Sequence, residues 1–322
     1  MDFRKSCKRI KNLFIRFWRS DNSKVSLLRD VFIAFLFVFI ILLALWTYTG
    51  QWFAAPMVAI ESGSMEHPNP PYGRIGTIDA GDMVLLVKVN NKNDVIPYSV
   101  SDYYNYGKKG DVIVYHPDGN LEDDQIIHRA MCWIEVETEG SDTFYTIEEY
   151  GIIHQNASVP LYIPECGIWD WSSDSDVTFD GKPNKPGDQH HHQKFTHSGF
   201  ITKGDNPSSN KACDQLGGIC DQPVKVKWIS GKASGELPWI GTINLFFNDV
   251  FGGKDTLKNV PGDSIQCLII LIVVLVSIPI GLDLYGYFKD KKKKEPVKNK
   301  LSLEEKTIEQ KVDDELFEKF KK

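Results

Sequence analysis

The chain has 322 residues, 42% hydrophobic and 25% charged, a folded-protein composition that excludes a disordered tail and a collagen-like repeat. The net charge of -6 is unevenly spread: residues 1 to 30 carry nine basic against three acidic side chains, residues 289 to 322 twelve against nine, and the remainder sixteen against thirty-one. An acidic middle argues against a positively charged groove for nucleic acid.

In chain order, residues 1–30 read as a basic, cytoplasmic N-terminus, and residues 31–49 (Val31 to Thr49) carry no charge over 19 residues, enough to span a bilayer. This stretch exceeds the 7 to 15 residues of a signal-peptide core. A second apolar window covers 265–282 (Ile265 to Leu282) and is followed by Tyr285, Tyr287, Phe288 and the run Lys291 to Lys294. Two spans require both termini on one side, and both termini are basic, which places them in the cytoplasm and residues 50–264 outside. The tail, 283–322, contains a capping box at Ser302 and Glu305 and apolar residues Ile308, Val312, Leu316 and Phe320 four apart, the pattern of one amphipathic helix.

The exterior segment reads as mostly β. Strands are expected at Met57–Ile60, Met83–Val89, Val112–Tyr115, Gln125–Val136, Phe144–Glu148, Phe200–Lys203 and Val224–Ile229, with Gly81-Asp82, Gly110-Asp111 and Gly204-Asp205 marking turns. Residues 149–199, rich in Asp, Gly, Pro and Ser, read as a long surface insertion. Within it His190, His191 and His192 read as a solvated loop, since adjacent loop residues rarely converge on one metal ion. Asn156-Ala157-Ser158 matches a glycosylation sequon. Cys132, Cys166, Cys213 and Cys220 face an oxidising side, with Cys213–Cys220 the preferred disulfide. No C-x-x-C pair exists to suggest zinc. Near the second span, Pro238 to Gly241 and Leu245-Phe246-Phe247 read equally well as interfacial anchors or as core.

The chemistry starts at Glu61-Ser62-Gly63-Ser64-Met65, serines in a Gly-containing turn soon after the first span. A serine nucleophile needs a base. Of the eight histidines, His128 alone falls in an expected strand, and His116 is the second choice. A carboxylate to orient the imidazole is available from the turn Lys203 to Pro207, from Asp214 or from Asp221.

In this order, Ser62-Gly63-Ser64-Met65, Gly81-Asp82, Gly110 to Val114, Ile127-His128-Arg129, Thr202 to Asn206 and Ile229 to Gly231 give a chain that resembles the type I signal peptidases of the archaeal and endoplasmic-reticulum branch. The likeness covers roughly residues 30 to 135 and 198 to 245. It implies a signal-peptidase-like β catalytic domain between two transmembrane helices and a membrane-bound serine endopeptidase that needs no cofactor or metal. Its partners would be secretory preproteins, the lipid bilayer and the protein translocation channel, in the cell membrane or the endoplasmic reticulum.

The resemblance makes Ser64 the nucleophile, the Ser62 hydroxyl and the Ser64 backbone N–H the oxyanion hole, and His128 the base where the bacterial branch has lysine. It also makes two acids matter, Asp205 and a second one. Lys211 occupies the position where a shorter spacing would put that second acid, so Asp214 is assigned, with Asp221 in reserve. Other readings are a different membrane-tethered serine hydrolase and a non-catalytic binding module.

Overall fold

The computed structural model describes residues 15, 17–20, 22–52, 54–171, 194–289 and 291. His190 to His192 and the amphipathic pattern of the tail lie outside them. The chain forms two compact units, Met1–Ser264 and Ile265–Lys322.

Helix α1, Ser23–Thr49, starts eight residues before the uncharged window, because the Asn22 side chain caps it by accepting the Lys24 N–H at 3.0 Å. It ends at Gly50, whose left-handed φ of 67° lets its N–H close on the Trp46 carbonyl. A second long helix covers Gly262–Lys289, and both are long and apolar enough to cross a membrane. The C-terminal end of α1 is bonded to the β domain: Tyr48 Oη and Ser234 Oγ are 2.8 Å apart, and the Lys88 N–H donates to the Thr49 carbonyl at 2.8 Å.

The β domain is built from β1 (Met57–Ala59), β2 (Met83–Val87), β5 (Val112–Tyr115), β6 (Ile126–Glu139), β7 (Asp142–Ile147), β8 (Ile152–Asn156), β11 (Gly199–Lys203) and β12 (Ile229–Leu237). These make one eight-stranded sheet in the order β1-β2-β12-β5-β6-β7-β8, with β11 also paired to β6. Two small hairpins stand apart, β3 (Tyr104–Asn105) with β4 (Lys108–Lys109), and β9 (Leu161–Ile163) with β10 (Gly167–Trp169).

All four residues of β5 are buried, as expected for a strand covered on both faces. Val112 and Val114 join a core with Ile60, Met65, Val84 and Ile127, whereas Ile113 and Tyr115 join one with Ala130, Phe200 and Val224. β6 runs for 14 residues and carries the sheet from these cores into a third, where Ile134, Tyr145, Leu161, Trp169, Phe195 and Ile201 pack.

That third core corrects the insertion expected at residues 149–199. Its first part folds as β8, β9 and β10, and Leu161, Ile163, Cys166 and Trp169 are fully buried, so apolar residues spaced by two are strand signals that the surrounding polar composition obscures. The expected strand Val224–Ile229 is also displaced. Val226–Trp228 is a single 3-10 turn closed by Trp228 N–H on the Lys225 carbonyl, and the strand begins at Ile229. It escapes notice because its inward positions include Gly231, where a Cβ would lie 2.8 Å from Leu86 Cβ.

The disulfide is Cys166–Cys213, not Cys213–Cys220. Cys166 and Cys213 Cα atoms are 4.6 Å apart and the Cys213 N–H donates to the Cys166 carbonyl, while the Cys220 thiol contacts the Gln222 carbonyl at 3.1 Å. Cys132 and Cys220 are buried free thiols. Helix α2, Asp214–Gly217, follows the bridge directly.

Helix α3, Gly241–Gly252, divides the residues left between core and interface: Leu245 is fully buried, and Phe246 and Phe247 are about half exposed. It is seated by the turn at Gly81, whose φ of 96° requires glycine and where a Cβ would lie 2.5 Å from Thr242 Oγ1. Asp82 beside it accepts N–H bonds from Asp79 and Trp239, both at 2.9 Å.

Replacing Cys166 and Cys213 together by alanine should lower stability by up to about 4 kcal/mol, the loop-closure value for a separation of 47 residues, read from the urea midpoint in detergent. Burial pushes the Asp82 carboxyl up to about 7, against its two backbone donors. A raised carboxyl pKa costs stability above the folded value, so stability should rise as pH falls from about 7 towards 4, and Asp82→Asn should flatten that slope.

Candidate active site

Strand alternation sends neighbouring residues of β6 to opposite faces. His128 pairs across from Ile113 and Arg129 from Val112, so the two side chains enter different environments.

On the His128 side, Nδ1 lies 2.8 Å from each carboxylate oxygen of Asp214. Both groups are buried. An ionised carboxylate only accepts, so Nδ1 carries the proton and Nε2 the lone pair, the tautomer a general base requires. Burial alone would raise the Asp214 carboxyl, but its contact with the His128 ring and the nearby hydroxyls of Thr202 and Tyr115 hold it below the ordinary range. Tyr115 Oη donates to Asp214 Oδ2 at 2.7 Å and accepts from Thr202 Oγ1 at 3.2 Å. Gln215 completes the arrangement: its Nε2 donates to Thr202 Oγ1 and its Oε1 accepts the Thr202 N–H.

On the Arg129 side, Asp205 is met by a fully buried guanidinium, with Arg129 Nε donating to its two oxygens at 2.9 and 3.2 Å. Arg129 also donates to the carbonyls of Asn105, Lys109 and Gly110, fastening the β3–β4 hairpin. His67 Nε2 lies 3.2 Å from Asp205, and Lys108 Nζ 3.7 Å. Burial would raise the Asp205 carboxyl, but Arg129, His67 and Lys108 bring it down to about 2. Asp205 therefore belongs to an ion-pair hub, and the carboxylate on the imidazole is Asp214. Asp221 lies elsewhere, its N–H donating to Asp118 at 3.0 Å.

The loop after Asp205 fixes the serines. Asn206 Nδ2 donates to the Gly63 carbonyl at 2.7 Å, and the Ser64 carbonyl accepts from the Asn206 N–H and from Asn210 Nδ2, both at 2.9 Å. Gly204 permits this approach, since a Cβ there would lie 2.4 Å from Asn210 Nδ2 and 2.6 Å from the Ser64 carbonyl. The Ser62 hydroxyl donates to Ser64 Oγ at 3.4 Å. Ser62, Ser64 and His128 line one cavity of about 640 Å³, whose apolar wall includes Val58, Ile60, Val114 and Ile127.

Sequence reasoning thus points at Ser62, Ser64, His128 and Asp214, which share this region, and at Asp205, which lies on the other face of β6. It overlooks Asn210 and Tyr115. A tyrosine ending the apolar run Val112-Ile113-Val114 was the available signal, because a buried hydroxyl needs a partner. His116, the second choice of base, has Nε2 3.0 Å from Gln125 Nε2 and does not line the cavity. Lys203 is turned to the Glu165 and Lys211 carbonyls, and burial lowers its pKa. Among the described residues, the one three-residue cluster of metal-ligand types, Glu137, Glu139 and His154, is exposed and outside the cavity.

No protein-family model matches the chain, and a search of curated proteins finds no significant match.

Asp205→Ala strands the buried Arg129 charge and should cost about 3 to 5 kcal/mol. Asp214→Asn should keep the fold; circular dichroism and unfolding midpoints separate the two variants. Because the Asp205 pKa is depressed, the stability it provides is complete above about 4 and is lost as pH falls towards about 2, and Asp205→Asn should remove that acid limb.

Proposed function

We propose that the protein is a membrane-bound serine endopeptidase of the signal peptidase type, which removes signal peptides from secretory preproteins during translocation. The observation that carries this reading is the buried His128–Asp214 pair opening on the same cavity as Ser64. The ordered motifs that resemble the histidine branch of the family lend it specificity.

In the proposed reaction Ser64 Oγ attacks the scissile carbonyl carbon and its proton passes to His128 Nε2, while Asp214 stabilises the resulting imidazolium. The oxyanion is met by the Ser62 hydroxyl and the Ser64 backbone N–H, each such donor being worth about 3 to 4 kcal/mol. The imidazolium then returns the proton to the departing amine, which frees the mature N-terminus and leaves an acyl-Ser64 ester. Water, deprotonated by the same imidazole, hydrolyses that ester.

The membrane supplies the geometry of substrate choice. Helix α1 ends at Thr49 and Ser64 follows 15 residues later, on a domain bonded to the helix end through Tyr48 and Thr49, so a cleavage site emerging from the bilayer meets the cavity. The basic flanks of both apolar helices favour a cytoplasmic position for the termini, with the Ser64 domain outside.

Detergent-solubilised full-length protein should cleave a preprotein after small residues at the first and third positions before the bond, with the site mapped by mass spectrometry. Ser64→Ala and His128→Ala should each lower the rate by at least about 1,000-fold without unfolding. His116→Ala should do little. Undiminished cleavage with Phe before the bond, or an active His128→Ala enzyme, would contradict the reading.

A further inference from the structure

The chemistry expected of a Ser-His-Asp site ends at the carboxylate, yet here the carboxylate is itself held from behind. Tyr115 sits on the same face of the sheet as His128, one diagonal step away: Ile113 pairs with His128 and Tyr115 with Ile126. We infer that Tyr115 is a positioning residue for the reaction proposed above, setting through its hydroxyl both the direction and the charge that Asp214 presents to His128. The inference rests on that functional reading.

Three observations support it. Asp214 lies in the first turn of a four-residue helix, too short to hold a side chain by itself, and its neighbour Cys213 fixes only the backbone. The carboxylate could rotate away from the imidazole if His128 were its sole partner. Tyr115 Oη, at 2.7 Å from Oδ2, blocks that rotation from a fully buried strand.

The hydroxyl has one proton, and the surroundings decide where it goes. Thr202 Oγ1 donates to Tyr115 Oη and accepts a hydrogen bond from Gln215 Nε2, whose amide is oriented by the Thr202 N–H on its oxygen. The chain Gln215 to Thr202 to Tyr115 to Asp214 therefore has a single sense, with every donor aimed at the anion. Burial pushes the Tyr115 phenol well above its ordinary range, with Asp214 and Cys220 adding to it, so it remains a donor.

The ionisable groups facing this assembly are few. His128 comes from β6 and Tyr115 from β5; the Cys220 thiol, which burial pushes up to about 12, follows α2; Lys203 from β11 interacts with Asp214 at longer range. Removing the Tyr115 hydroxyl would take away the hydrogen bond that Asp214 Oδ2 accepts from behind. That hydroxyl is one of the groups that hold the Asp214 carboxyl below its ordinary range, so without it the protonated carboxyl persists to higher pH and the acidic limb of activity moves upward.

The test is preprotein cleavage by full-length Tyr115→Phe across pH, together with the downfield proton NMR resonance of the His128 Nδ1–H. Expected are a loss of roughly tenfold in kcat with KM nearly unchanged, an upward shift of the acidic limb by about half a unit, and a displaced resonance. A folded Tyr115→Phe protein with the wild-type limb and resonance would overturn the inference. Should that variant fail to fold, Thr202→Val keeps the tyrosine and withdraws its donor, and the same two readouts decide. If wild type and Ser64→Ala are equally inactive on preproteins, the peptidase reading falls, while the resonance still decides whether Tyr115 positions Asp214.

Discussion

The buried ion pair between Arg129 and Asp205 is the contact on which the rest of the candidate site depends. A guanidinium with no exposure is tolerable only when its donors are used, and Arg129 uses them on a carboxylate and on several carbonyls of the β3–β4 hairpin. This fixes the Gly204-Asp205-Asn206 loop against the sheet. From that loop Asn206 and Asn210 hold the Gly63 and Ser64 carbonyls, so the geometry of the serines is inherited from an arginine that never touches them. The sequence neighbour of that arginine is His128, and one peptide unit of β6 thereby links the support of the serine to the candidate base.

A second chain of dependence runs through residues that look peripheral. The β9–β10 hairpin buries Leu161, Ile163 and Trp169 and carries Cys166, which is bonded to Cys213 next to Asp214. The candidate acid is therefore anchored to a hairpin that lies outside the stretches carrying the resemblance. Buried apolar area there secures a backbone position, and the Tyr115 and Thr202 hydroxyls then settle the side chain. Packing and hydrogen bonding divide the task, the first being non-directional and the second directional.

The sequence was legible where a local pattern has one physical meaning. Val112–Tyr115 is a strand because four consecutive apolar residues between turns leave few alternatives, and the two long helices announce themselves by length and lack of charge. The Gly-Asp pairs proved to be more than punctuation, since Asp82 and Asp205 are buried acceptors that lock the turns they mark. Strands whose inward positions are glycine or alanine, such as Gly231 and Ala233 in β12, carry no hydrophobic signal; at Gly231 the Leu86 and Gln51 side chains already fill the space. The partners of Cys213 and Asp205 depend on contacts 47 and 76 residues distant in the chain, which spacing alone does not encode. His128 was readable as a strand histidine, whereas the role of Asn210 rests on a side-chain amide reaching a carbonyl 146 positions away.

The order in which the ribosome makes these parts gives the Cys166–Cys213 bridge a further meaning. Ser64 and His128 emerge early, but Asp214 lies 86 residues after the histidine, beside a cysteine whose partner sits in the intervening hairpin. A nascent chain therefore carries Ser64 and His128 before it carries the carboxylate that meets the imidazole. The pair of His128 and Asp214 can therefore exist only after the chain has been made through the disulfide cysteine next to the acid.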